Sequence, residues 1–346
     1  MNKKAIIASL VAVQACALLA ADAPATLVSD VKEGKVSNLF ESIEPGNMMI
    51  TDYIRLGVEA EFIGRYREGS TDVYSSKDDF SFDTLDFTLD INISENVSFN
   101  TVFEYSDDDD DFRVDSAQFD IKLNDYLSLT VGKVYIPFGR FSTDMITDPF
   151  TEDFAEICET AAGLTCNLDD TLIFSAWLYQ TDLEEEFNNF ALTSEFRTAD
   201  WLTFGVAFVS DIAAGMLQYF DINPNNANYD QTAGINVWFE LTPAEKFRFY
   251  GEFIGALDNI ATIDETPRVW SFDASYDATD AITVAARYEG SSSFGYIPYV
   301  SSRFGGAVKY AYNDFVTFGV EYMFAEYENM QEDGSHEFAG SVAIEF

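Results

Sequence analysis

From Thr51 onward, hydrophobic positions recur at every second residue. Ile54, Leu56, Val58, Ala60 and Phe62 form one face, with Arg55, Gly57, Glu59 and Glu61 between them. Leu85, Phe87, Leu89, Ile91 and Ile93 alternate in the same way with Thr84, Asp86, Thr88, Asp90 and Asn92. Val97, Phe99, Thr101, Phe103 and Tyr105 alternate with Ser98, Asn100 and Glu104. A period of two is that of a β-strand, whose successive side chains point to opposite faces. Runs of about ten residues are longer than the usual strand of a soluble sandwich and fit the pattern of a transmembrane barrel.

The connections alternate as well. Tight turns are predicted near Glu95, Asn124, Asp169, Ala199, Pro243, Thr279 and Asn313, and longer polar links such as TDLEEEFNN and NIATIDETP lie between them. Short turns at one end and long loops at the other are the layout of an outer-membrane barrel. The spacing predicts about sixteen strands between Tyr53 and Phe346, enough to leave an aqueous lumen. The expected fold is all-β, a transmembrane antiparallel β-barrel of about sixteen strands with a long third outer loop folded into the lumen.

That third loop lies in Gly132 to Glu156, GKVYIPFGRFSTDMITDPFTEDFAE. It starts as a strand, breaks at Pro137 and then runs irregularly. A long irregular insertion in a regular frame is usually functional. Arg140, Asp144, Asp148, Glu152, Asp153 and Glu156 are its candidate constriction residues. Strand parity points Arg55, Arg197, Arg248, Arg287, Arg303 and Lys309 inward as a pore wall, with Glu59, Glu104, Glu195, Glu252, Asp273 and Glu321 on the same face. Loop acids facing wall arginines would set a field across the pore that selects solutes by charge. The plainer reading is ordinary lumen charges that compensate one another.

Composition narrows the class. The chain has 346 residues, 47% of them hydrophobic, which is too apolar for disorder. Beyond the first residues, no apolar run is long enough for a transmembrane helix. The net charge of −41 argues against nucleic acid as a partner. His336 is the single histidine, which leaves little for a His-based metal site or a hydrolytic triad. No metal, cofactor or enzymatic activity is therefore expected. The acid run Asp107 to Asp111 lacks the spaced ligands and turn glycine of a calcium loop. It reads as a solvated loop tip near lipopolysaccharide phosphates. Tyr66, Tyr105, Trp201, Phe208, Trp238, Phe253, Trp270, Tyr288 and Tyr322 fall near strand ends and are expected in interfacial girdles.

The ends complete the layout. Lys3 and Lys4 precede the apolar AIIASLVAVQACALLA, so residues 1–20 read as a secretory signal peptide. Residues 21–50 form a short periplasmic segment, either a tail or a small plug or partner-binding helix, and residues 51–346 form the barrel. The last strand, HEFAGSVAIEF, places Phe338, Val342, Ile344 and Phe346 on one face. It resembles the assembly signal of Gram-negative outer-membrane proteins, with Phe346 offered to the barrel-assembly machinery. Cys158 and Cys166 could bridge in an exported protein. On one extended strand, however, they would lie roughly 26 Å apart, too far to bond.

Three stretches carry a family resemblance: Gly132 to Glu156, TPRVWSFDASYDATDAITVAARYEGSS, and IPYVSSRFGGAVKYAYNDFVTFGVEYMFAEYE. They resemble the LbtU-type (legiobactin) siderophore porin family, most specifically at Gly132-Lys133, Tyr135, Pro137-Phe138-Gly139, Thr143, Met145-Ile146, Asp148-Pro149 and Thr151. The resemblance implies a β-barrel of the Gram-negative outer membrane that takes up an iron–siderophore complex. The short N-terminal region and the acidity depart from the family pattern, and the acidity would slow an anionic ferric siderophore. The expected function is passive, selective uptake of a small polar solute, with an iron–siderophore complex in first place. The alternatives are a general cation-preferring diffusion porin and a non-conducting structural or adhesive barrel. Outer-membrane lipids and lipopolysaccharide would surround it. A homotrimer fits general porins, although nothing in the sequence marks a trimer seam.

Overall fold

The structure, a computed structural model, describes residues 43–44, 47–51, 53–68, 78–106, 111–181, 187–213, 231–261, 263–295, 299–328 and 334–346. The expected signal peptide, most of the 21–50 segment and most of the Asp107–Asp111 run lie outside the described residues. The elements are β1 (Ile43–Glu44), β2 (Asn47–Thr51), β3 (Ile54–Glu68), β4 (Asp78–Ser94), β5 (Val97–Ser106), β6 (Asp111–Lys122) and β7 (Leu127–Tyr135). They continue with α1 (Phe150–Ala155), β8 (Cys158–Leu168), β9 (Leu172–Gln180), β10 (Asn189–Ala199), β11 (Leu202–Val209) and β12 (Gly234–Ala244). The last are β13 (Phe247–Ala256), β14 (Arg268–Thr279), β15 (Ile282–Ser292), β16 (Tyr299–Asn313), β17 (Val316–Glu328) and β18 (Gly334–Glu345).

Each strand from β3 to β18 pairs antiparallel with the next, and β18 returns to β3 with Phe338 opposite Tyr66 and Val342 opposite Phe62. The result is a closed sixteen-strand antiparallel barrel. Closure leaves no open edge, the condition for strands to cross a bilayer. Phe346 completes the seam. Its N–H donates to the Val58 carbonyl at 3.0 Å, and the Val58 N–H donates back at 2.7 Å. β2 also pairs with β3, with Met48 opposite Leu56, so sheet pairing begins before the boundary at residue 51.

The turn chemistry explains the short end. Asn124 Oδ1 accepts the N–H groups of Tyr126 and Leu127, and Asn313 Oδ1 accepts those of Phe315 and Val316. An Asn side chain thus stands in for the backbone in both turns. Asp169 and Asp170 take left-handed φ angles of 53° and 55°, as a two-residue hairpin turn requires.

The barrel is inverted relative to a soluble fold. Phe249, Phe253, Phe272, Tyr288, Phe304, Phe318 and Phe338 are exposed on its outer face. Their neighbours in parity, Glu252, Ser271, Arg287 and Glu321, are buried inside. So continuous an apolar outer surface is suited to hydrocarbon and not to water. One girdle expectation is corrected. Trp238 is only 7% exposed and faces inward. Its indole lies on Gly205, where an added Cβ would stand 2.4 Å from the ring. Parity, not nearness to a strand end, decides its side. Cys158 and Cys166 are both on β8 and both free thiols.

Candidate pore constriction

The candidate site is the segment joining β7 to β8, residues 136–157 with α1 near its end. Its entry is shaped by Gly132, whose φ is +147° and whose added Cβ would stand 2.1 Å from the Ala117 carbonyl oxygen. Any side chain there would force β7 away from β6.

Beyond Pro137 the backbone leaves the sheet, and its N–H groups need other partners. Carboxylates of distant strands supply them. Glu252 on β13 accepts from the N–H groups of Arg140 at 2.8 Å and Phe141 at 3.3 Å. Glu321 on β17 accepts from the N–H groups of Ile146 at 2.7 Å and Thr147 at 3.3 Å, and from the Thr147 hydroxyl at 2.6 Å. Glu289 on β15 accepts from the Phe150 N–H at 2.9 Å. Asp273 on β14 accepts from the Thr143 hydroxyl at 2.8 Å. Phe141 is held at a left-handed φ of 51°, a costly conformation for an aromatic residue that its surroundings must impose. All four carboxylates share the strand face opposite the exposed phenylalanines.

Charged side chains add to this docking. Arg248 donates to Asp144 at 3.0 Å and to Asp277 at 3.0 and 3.2 Å. Arg287 donates to Asp273 at 3.1 Å, to the Asp148 carbonyl at 2.9 Å and to the Thr143 hydroxyl. Arg303 binds Glu289 and donates to the Asp148 carbonyl at 3.1 Å. Asp148 is thus engaged through its backbone oxygen. Arg140 turns to the other wall. It lies 5.1 Å from the Trp238 ring centroid, 3.4 Å from Glu195 and 4.0 Å from Glu240. A cavity of about 180 Å³ remains between Ser142–Asp144 and the wall residues Arg248, Asp273 and Ser275.

Of the expected pore-wall residues, Arg248, Arg287 and Arg303 meet the segment. Arg197 instead bonds Glu195 at 2.8 Å on its own strand. Arg55 and Lys309 make no hydrogen bond or ion pair with the segment among the described residues. Sequence reading placed Glu252, Asp273 and Glu321 inward without a special role and did not single out Glu289. Their one signal, inward parity, is shared by every lumen acid.

The opposite side of the segment is apolar. Phe138, Phe150, Phe154 and Ile157 join one buried cluster with Ala191, Ala207, Val209, Ile254 and Val269 from the wall. Phe154 meets Phe294 edge-on at 5.6 Å between ring centroids. Among the described residues, Glu152, Asp153 and Glu156 form no ion pair of the kind made by Asp144. Burial pushes Glu152 up to about 9, and the charges of Asp148, Glu156 and Asp153 add to the rise. Asp153 rises to about 7 through burial, with Arg303 opposing. Glu156 keeps contact with water, yet protein crowds it, and burial followed by the Asp115 charge raises it to about 7. Burial also raises Asp148, against the pull of Arg287.

No protein-family model matches the chain, and no curated protein sequence matches it. Solved structures do match in fold. The outer membrane channel DcaP of Acinetobacter baumannii aligns with a TM-score of 0.60 at 9% identity, over 85% of this chain and 97% of that one. OmpF of Salmonella typhi, solved in complex with daunomycin, aligns with a TM-score of 0.60 at 11% identity, over 85% and 98%. A mutant of the Rh. blastica porin aligns with a TM-score of 0.57 at 13% identity, over 85% and 100%. At these identities the likeness shows a shared fold, the barrel of outer-membrane porins.

Proposed function

We propose that the protein is a passive diffusion channel of the Gram-negative outer membrane, with the 136–157 segment inside the lumen as its constriction. The carrying observation is the docking itself. The segment leaves the barrel at β7 and β8, yet its backbone is bonded to inward carboxylates on β13, β15 and β17. A barrel of this size has an aqueous interior unless something fills it, and a segment bonded to the far wall narrows it. Deleting Phe141 to Asp153 is expected to raise single-channel conductance severalfold in planar bilayers. Unchanged conductance would remove the constriction from the reading.

The narrower reading, passage of an iron–siderophore complex, rests on the resemblance of the 132–156 stretch. Its test is iron–siderophore uptake by a strain lacking the protein. Normal uptake in that strain would end it and leave the channel reading standing.

A further inference from the structure

The segment does not divide the lumen evenly. Its hydrogen bonds and ion pairs to the barrel go to β10 and β13 to β17, with one long contact to Glu240 on β12. Its aromatic side chains are buried against β8 to β14. On the remaining side, Ile146 packs with Ile63 of β3 and Ala339 of β18. That leaves the β4–β6 wall facing α1 with no such seal among the described residues.

The two surfaces facing each other there are both acidic. Asp86 and Glu104 are cross-strand neighbours on β4 and β5. Asp115 lies beside them on β6 and accepts the Tyr135 hydroxyl. Glu156 ends α1, and the charges of Asp115 and Glu104 act on it, while Glu152 lies one helical turn before it. The nearby guanidinium groups already have acid partners. Arg113 binds Glu104 at 2.7 Å, Arg65 binds Asp83 at 3.2 Å, and Arg67 binds Glu337 at 2.8 Å. On the docked side, Arg248, Arg287 and Arg303 are likewise paired with acids. The arrangement is therefore not loop acids set against a basic wall across the opening. The arginines of the docked side are spent on docking and those of the other side on wall acids, and carboxylates from both sides border what remains.

We infer that solutes cross by an off-centre passage between α1 and the β4–β6 wall, and that this passage takes cations, organic amines included, and rejects anions. The inference rests on the channel reading above and adds to it a route and a class of solute. Fixed charge of one sign in a narrow, low-dielectric passage concentrates the opposite ion. An anionic metal chelate would meet repulsion along the same route.

The test uses the full protein in planar bilayers. In a KCl gradient at about pH 9, where Glu156 is ionised and Glu152 is about half ionised, the reversal potential is expected to show cation preference. The Asp86→Asn, Glu152→Gln, Glu156→Gln triple variant should bring the permeability ratio about threefold closer to unity. An unchanged ratio overturns the inference. In case the variant does not insert, the wild type gives a second reading. Hexaamminecobalt(III) should block at concentrations where citrate does not, and the reverse order overturns the inference. Route is tested separately after Cys158→Ala and Cys166→Ala replacement. A membrane-impermeant thiol reagent should reduce current through Thr88→Cys and leave Ala207→Cys unmodified. Reaction at residue 207 but not at 88 overturns the route. A wild type that conducts nothing overturns the channel reading and the inference with it, whereas a conducting, anion-preferring wild type overturns the inference alone.

Discussion

On β8 to β14 the inward positions packed beneath the segment's aromatic side chains include Ala161, Ala191, Ala207, Val209, Ile254 and Val269, with the acceptors Glu252 and Asp273 set among them. On β4 to β6 the inward positions include Asp86, Asp90, Asn100, Glu104 and Gln118. Both walls follow the same two-residue period and both show hydrophobic residues to the outside. They differ only in what the inner half of the period contains. Small apolar residues leave room and reason for aromatic rings to pack, so that wall became the docking face. Carboxylates and amides hold water, which suits the other wall to the proposed passage. The period fixes which side a residue faces, and its chemistry decides whether that side becomes core or channel.

The sharpest way to break this contrast is to remove the packing. Phe154 is fully buried and touches Phe294. Truncating a buried Phe to Ala costs about 3–5 kcal/mol. Phe154→Ala is expected to loosen α1, raise conductance and increase open-channel noise, while Thr88→Ala on the open wall leaves conductance near wild type. If both variants behave alike, the two walls are not functionally distinct.

Next in size is the carboxylate docking. Glu321 receives three hydrogen bonds from Ile146 and Thr147, and hydrogen bonds to charged groups contribute about 1.5–3 kcal/mol each. Glu321→Ala should expose residues 143–148 to hydrogen exchange and raise channel noise. Glu321→Gln keeps one acceptor oxygen and should fall between the two. Exchange in this stretch that matches wild type would show that packing alone holds the segment.

Much of this architecture was legible in the sequence, for a physical reason. Alternation and turn residues act locally, so Asn124, Asp169 and Asn313 mark turns without knowledge of the rest. Closure of sixteen strands follows from their number and from Phe346 completing the last one. The site was less legible because docking pairs residues more than a hundred positions apart. Nothing local to Glu252, Glu289 or Glu321 shows that each would take backbone N–H groups from the 136–157 segment. Trp238 shows the same limit on a smaller scale. Its place near a strand end suggested a girdle, but parity and the bare backbone of Gly205 turned it inward under Arg140. Of the expected loop acids and wall arginines, Asp144 and Arg248 form an ion pair at 3.0 Å.

A smaller effect comes from pH. Glu156 and Asp153 titrate at about 7 and Glu152 at about 9, all above the ordinary carboxylate range. Raising the pH from about 6 to 9 removes most of the protons on Asp153 and Glu156 and about half of those on Glu152, and adds negative charge to the passage. Cation preference should therefore rise across that window, and Glu152→Gln with Glu156→Gln should flatten the rise. Stability runs the other way. Between the ordinary carboxylate value and these raised values, the folded chain holds protons that the unfolded chain has released, so docking weakens as pH climbs. Cation preference that falls with rising pH would place these groups outside the conducting route.

The smallest expected effect lies on the outer face, and it tests whether selectivity belongs to the lumen at all. Tyr322 donates to or accepts from His336 Nδ1 at 2.8 Å, and the two rings stack at 6.0 Å within an exposed aromatic group that includes Phe338. Tyr322→Phe removes one exposed hydrogen bond, at most about 1 kcal/mol, and keeps the ring and its stacking. The heat-induced unfolding temperature in detergent should shift by a few degrees at most. The reversal potential in a salt gradient should not move, because Tyr322 faces away from the lumen and carries no charge. A change in ion preference from this substitution would mean that the outer surface reaches the conducting path, and the division between a packed wall and an open one would no longer explain selectivity.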